Sequence, residues 1–578
     1  MSNLRRSWPL AILLLIFSVT GAPYACAAES RPNILVIVAD DLGYSDMGAF
    51  GGEIATPNLD SLSLNGARFA HYQVGATCSL TRSMLMSGVD NHLAGVGAMA
   101  ELLVDEQRGK PGYEGYMNDR VASLAEIMKA AGYGTYMSGK WHLGYKDDQI
   151  PASRGFEHSF VLLDGGANHF SGRPFLQFKE GKPNSPSYRE DGNVASWPEG
   201  KYSADVYTDK MIGYLEMAKQ KKDQPFLAYM AYTTPHWPVQ APAEDIAKYK
   251  GRYDAGYDVL RKQRLEGLKK RGLLPPDATV AQTYDNVFPK WDSLSPEEKQ
   301  VEARLMEVYA AMVDRMDQNV GRLIAALKAN GQYDNTLIFF MSDNGASGEN
   351  PLQFGATREY INAHYNNALS NLGSGDSYLS YGPRWAMVSA SPFRMFKGYA
   401  FEGGLTSPMF FAGAKLPEAA RGHVFAQFAH VTDVAPTILD FAGIKQPDGT
   451  FEGRTIYKME GSSLKTLLTK ADNEPTAAAQ RPVGSELMGN QSLRDGDWKI
   501  AYSNTPWGKG QWELFNIAKD PGETQDLAQD EPQQLERMKK LWLDYVKEHG
   551  VVDDPAFLTQ EVAKQLDTRS HFMDARGQ

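Results

Sequence analysis

The sequence predicts an α/β fold: a large, mostly parallel sheet sandwiched by helices, followed by a smaller α+β unit. Three observations carry this. Apolar runs of strand length recur, each ending in polar residues; helical patterns lie between them; and the texture changes beyond about Gly443. Runs that are apolar throughout, rather than alternating, suit strands buried on both faces of a parallel sheet.

The first run, NILVIVA (33–39), ends in Asp40-Asp41. GYGTYMSG (132–139) ends in Lys140-Trp141-His142, and PFLAYMAYTT (225–234) ends in Pro235-His236-Trp237. NTLIFFMS (335–342) ends in Asp343-Asn344-Gly345. Between the first two, SLAEIMKAAG has Ser123 and Glu126 at capping-box spacing and Gly132 as a stop. Ahead of the last, a long pattern puts Leu305, Val308, Met312, Met316, Val320, Leu323 and Leu327 on one helical face. Such alternation of strand and helix defines the class, and ligands in these sheets gather beyond the carboxyl ends of the strands. The stretch 345–395, rich in Gly, Ser, Asn and Tyr, reads as an insertion over those ends. Past Gly443, DWKIAYS and WELFNIA read as short strands. A helix at about 532–548 carries the stripe Leu535, Met538, Leu541, Trp542 and Tyr545. The domain boundary is placed between 445 and 446.

Residues 1–27 have the form of a secretory signal: Arg5 and Arg6, the apolar run PLAILLLIFSV, then Ala25-Cys26-Ala27. A periplasmic or secreted mature chain follows, with no membrane association after cleavage. The net charge of −11, without a dense basic block, argues against a nucleic-acid partner. Of the two cysteines, removal of Cys26 leaves Cys78 alone, so no internal disulfide is expected. A lone thiol in an exported protein is either a small buried hydrophobe or a chemical group.

Asp40 and Asp41, adjacent at a strand end, repel each other and cost desolvation unless a cation holds them. With Asp343 and Asn344 at a second strand end they make a hard oxygen set suited to Ca²⁺ or Mg²⁺. Arg82, Lys140, His142, His236 and Lys397 would surround that cation as a pocket for an oxyanion, the histidines supplying protons near neutral pH. Cys78 would open a helix there, near its positive end.

RPNILVIVADDLGYSDMGAFGG, TPNLDSL, TCSLTRSMLMSG, GKWHLG, PHWP and MSDNG, in that order, resemble the motifs of bacterial arylsulfatases of the formylglycine-dependent sulfatase family. WELFNIAKDPGETQDLA resembles that family's C-terminal signature. The resemblance implies an alkaline phosphatase-like fold, with 28–445 as the catalytic domain and 446–578 as a C-terminal subdomain with a small antiparallel sheet and terminal helix. It implies hydrolysis of an aryl sulfate to a phenol and inorganic sulfate. Cys78 would be oxidised to formylglycine by a formylglycine-generating enzyme and act as nucleophile, completing the shell of one Ca²⁺ held by Asp40, Asp41, Asp343 and Asn344. Arg82 and Lys140 would steady the hydrated aldehyde, His142 would support its later breakdown, and His236 and Lys397 would bind sulfate and assist the leaving alcohol. The family's motif is usually Cys-x-Pro-x-Arg; here Leu80 stands at the proline position. Two other readings use the same scaffold: a phosphonate or phosphate monoester hydrolase, and an inactive sulfate-ester binder in which Cys78 is not converted.

Overall fold

The computed structural model describes residues 31–171, 175–179, 182–184, 187–349, 351, 355–472 and 478–552; the signal segment read at 1–27 lies outside them. Ten strands form one mixed sheet. Its centre is five parallel strands, in the spatial order Thr336–Ser342, Asn33–Ala39, Phe226–Ala231, Gly134–Lys140 and His158–Leu162. Antiparallel pairings extend it on both sides, through Met409–Ala412 at one side and Tyr188–Glu190 at the other. The four runs read from the sequence are thus neighbours in the sheet, and their carboxyl ends line up.

The pleat explains why those runs are apolar throughout. In Asn33–Ala39, Leu35 and Ile37 enter the core on one face, while Ile34, Val36 and Val38 enter a second core on the other. Side chains alternate between faces, so a strand covered on both sides needs apolar residues at every position. The first face is covered by the helices Ser203–Gln220 and Pro296–Ala329, the second by Cys78–Ser87, Leu124–Ala130 and Val434–Phe441. The long helix opens on Pro296 behind a Ser295–Glu298 capping box, and its seven predicted core residues are all fully buried. Ser123 and Glu126 form the capping box expected of them.

The 345–395 stretch is more interior than a covering loop. It includes the helices Gly355–His364 and Gly382–Ser389, and Tyr378, Leu379, Tyr381 and Trp385 are buried. Trp385 sits edge-on among Tyr253, Tyr257 and Trp291 and donates its indole N–H to the Glu302 carbonyl, so it belongs to the core. At the C-terminal end, four antiparallel strands run in sequence order from Val483–Leu487 to Glu513–Asn516. One face of this sheet packs Leu493, Ile500 and Leu514 against Met538, Trp542 and Tyr545 of the helix Pro532–His549. Its other face joins the main core through Ala501 and Phe515, and buried Lys499 pairs with Glu402 at 2.8 Å.

Candidate active site

At the carboxyl end of Asn33–Ala39 the chain turns through Asp41, whose φ of 68° lies in the left-handed region. For a non-glycine residue that conformation costs about 1–3 kcal/mol and persists only where surrounding bonds fix it. The Asp40 N–H donates to the Thr234 carbonyl (3.1 Å), that of Leu42 to Ser342 Oγ (2.9 Å), and that of Asp41 to Asp343 Oδ1 (3.2 Å). Three strand ends are thereby tied together, and both aspartates are turned inward, fully buried.

Each carboxylate has its own cation. Lys140 Nζ lies 3.0 and 2.8 Å from the two oxygens of Asp40. Lys397 Nζ lies 2.9 Å from Asp41 Oδ1, and Arg82 donates from Nε and Nη2 to Asp343 Oδ2 at 2.9 and 2.7 Å. Arg82 Nη1 also donates to the Lys140 carbonyl (2.9 Å), fixing the guanidinium between two strand ends. Burial, opposed by Lys140, pushes Asp40 up to about 7. For Asp41 burial acts the same way, but Lys397 and His236 outweigh it and hold the carboxyl down at about 2. Burial alone would discharge Lys397; Asp41 beside it keeps it protonated.

Cys78 is the first residue of the helix Cys78–Ser87, its Sγ 3.5 Å from Asp40 Oδ1. The N-terminal N–H groups of a helix have no intrahelical acceptors and carry partial positive charge. Thr77 at the cap makes no side-chain cap bond, so that end is left to other acceptors. Burial raises the Cys78 thiol well above its ordinary value, so it is not a poised thiolate. Leu80 is buried in the helix's first turn.

His236 Nδ1 lies 2.6 Å from the Trp237 carbonyl, which accepts its N–H, so Nε2 carries the lone pair of the neutral ring. That Nε2 is 3.4 Å from Lys397 Nζ and 3.6 Å from Asp41 Oδ2. Burial keeps the ring well below its ordinary pKa despite Asp41. His142 also has a left-handed backbone (φ 57°), and its Nε2 lies 3.1 Å from Glu101 Oε1.

The predicted residues converge. Asp40, Asp41, Cys78 and His236 present ligand atoms within 4.8 Å of one another. Asn344 Nδ2 donates to Asp41 Oδ1 (2.6 Å), while its Oδ1 is a buried acceptor with no hydrogen-bond partner among the described residues. An orphaned amide oxygen beside clustered carboxylates fits a hard cation such as Ca²⁺, which takes oxygen ligands. Asp343 is engaged by Arg82 and serves as a strut as well as a candidate ligand. Two acidic neighbours were not read from the sequence. Glu101 meets His142, and Glu349 lies 3.8 Å from Lys397 and accepts the Trp237 indole N–H at 3.1 Å. Single glutamates in loops carry no local signal, so only the fold reveals them.

The Sulfatase family model matches residues 32–444, and the chain belongs to that family. It is 42% identical over 538 residues to an uncharacterized sulfatase of Schizosaccharomyces pombe, covering 92% of this chain and 96% of that one. It is 38% identical over 442 residues to an arylsulfatase of Klebsiella aerogenes, covering 76% and 93%. Among solved structures, Ps i-CgsB in complex with k-i-k-neocarrahexaose superposes with a TM-score of 0.63 at 25% identity, over 93% of this chain and all of that one.

Proposed function

We propose that this sulfatase hydrolyses aryl sulfates, using position 78 as the precursor of its nucleophile. The observation that carries the reading is the ring of Arg82, Lys140, Lys397 and His236 around Asp40, Asp41 and the helix-opening Cys78. The identity with the Klebsiella aerogenes arylsulfatase supports the choice of an aryl ester.

Converted to formylglycine by a formylglycine-generating enzyme, position 78 would supply a hydrated aldehyde as nucleophile, chemistry that divides one hard displacement at sulfur into two steps, the second of which releases sulfate. A Ca²⁺ held by Asp40, Asp41, Asp343 and Asn344, with position 78 completing the shell, would supply Lewis-acid polarisation of the sulfate oxygens. The remaining work falls to the protein's own cations. Arg82 and Lys140, fixed by Asp343 and Asp40, hold positive charge beside position 78. Lys397 and His236, in contact with each other, bind the sulfate and deliver a proton to the departing oxygen. His142 would take a proton from position 78 in the second step, the release of sulfate.

The test is expression with a formylglycine-generating enzyme, peptide mass analysis of position 78, and turnover of a chromogenic aryl sulfate beside an aryl phosphonate. Converted protein should turn over the sulfate far faster, and Cys78→Ala should turn over neither. Converted protein that prefers the phosphonate, or an active Cys78→Ala variant, would overturn the reading.

A further inference from the structure

Among the described residues, the imidazole of His142 is held from one side only. Its Nε2 lies 3.1 Å from Glu101 Oε1, and the same oxygen accepts the hydroxyl of Tyr145 at 2.9 Å. A carboxylate oxygen cannot donate, so the ring's proton sits on Nε2. The other nitrogen, Nδ1, is buried and has no hydrogen-bond partner among the described residues. A buried lone pair without a donor is a standing cost, so its retention calls for a reason. The ring's surroundings are equally specific. His142 adopts a left-handed backbone two residues beyond Lys140, and a Cβ on Gly165 would come within 2.8 Å of the ring. Burial keeps the ring below its ordinary pKa even beside Glu101, which leaves it neutral and able to accept a proton.

We propose that Glu101 is the positioning residue for His142, locking the ring with its proton on Nε2 and presenting the Nδ1 lone pair as the proton acceptor of the reaction. Glu101 touches no reacting atom. It acts by fixing one tautomer and one ring orientation, and by stabilising the charge that His142 gains when Nδ1 takes a proton. Tyr145 steadies the carboxylate. The inference rests on the proposed sulfatase mechanism, in which His142 serves the second step, the release of sulfate from position 78.

The experiment compares wild type, Glu101→Ala and Glu101→Gln, each expressed with the maturing enzyme and normalised to converted position 78. Glu101→Ala should lower kcat at least tenfold while KM stays level or falls, and rapid quenching should find more position-78 peptide carrying a sulfo group. Glu101→Gln, whose amide oxygen can still accept from Nε2–H, should recover part of the loss. An unchanged kcat, or a lower kcat with no accumulation of sulfo-peptide, would overturn the assignment. Crystal structures of wild type and Glu101→Ala read the positioning without turnover: the His142 ring should lose its single orientation, and a ring unmoved in the variant would overturn it. Wild type that is converted yet hydrolyses no sulfate ester would count against the proposed function instead, leaving the ring orientation to decide the role of Glu101.

Discussion

Asp343→Ala isolates the central electrostatic strut. Arg82 and Asp343 are both fully buried, and two of the guanidinium's N–H groups end on one carboxylate oxygen at 2.9 and 2.7 Å. The nearest other carboxylate oxygen to Arg82, Asp40 Oδ1, is 3.9 Å away and already engaged by Lys140. Truncating Asp343 therefore strands a guanidinium out of water, and breaking a buried pair in this way costs about 3–5 kcal/mol. The Asp41 N–H also loses its acceptor, adding about 1 kcal/mol. Denaturant titration in the presence of a chelator, which removes any contribution from bound cation, should show a loss of about 4–6 kcal/mol by these sums. Arg82→Met removes the charge itself, so the double variant should be more stable than the sum of the single losses allows, by at least about 2 kcal/mol. Turnover should collapse in every one of these variants. A loss below about 1 kcal/mol for Asp343→Ala, or additivity within about 0.5 kcal/mol, would refute the reasoning.

Three further outcomes are expected. His236→Ala should slow sulfate esters with poor leaving groups more than those with nitrophenolate-like ones, because the His236–Lys397 pair supplies the proton; an equal loss across the series would assign it to sulfate binding alone. Leu80→Pro should raise the converted fraction of position 78 in quantitative peptide mass spectrometry, while costing about 1–2 kcal/mol because the leucine side chain is buried; an unchanged fraction would show that leucine is read as well as proline. Burial would lower His92, but its contacts with Asp90 (3.0 Å) and Glu486 (3.7 Å) raise it to about 9. With an unfolded value of about 6.5, its stabilisation is complete below that pH and is lost as pH rises through about 9, on the order of 3 kcal/mol in all. The melting temperature of His92→Gln should accordingly fall less steeply than wild type between these pH values, and parallel slopes would remove His92 from the account.

Much of the architecture was written locally. Runs such as NILVIVA and NTLIFFMS are apolar at every position because both faces of their strands are covered, and that signal needs no partner to be read. Capping boxes at Ser123 and Ser295 and the stripe of the long helix are likewise properties of neighbouring residues. The strands Ala67–Gln73 and Met409–Ala412 did not stand out. The first mixes Arg68, His71 and Gln73 into its apolar positions, and the second is only four residues long. The candidate site was legible because its acids, Lys140, His142 and His236 sit in motifs at strand ends, where a parallel sheet collects its ligands. By itself the sequence determined the fold class, the strand-end motifs and the residue types available for chemistry. Tertiary structure alone decided which carboxylate each cation neutralises, how Trp385 goes to the core while Trp237 stays by the site, and that Glu101 meets His142 from 41 positions away along the chain. Pairing of this kind depends on distances through space between loops, and no periodicity or local propensity along the chain encodes them.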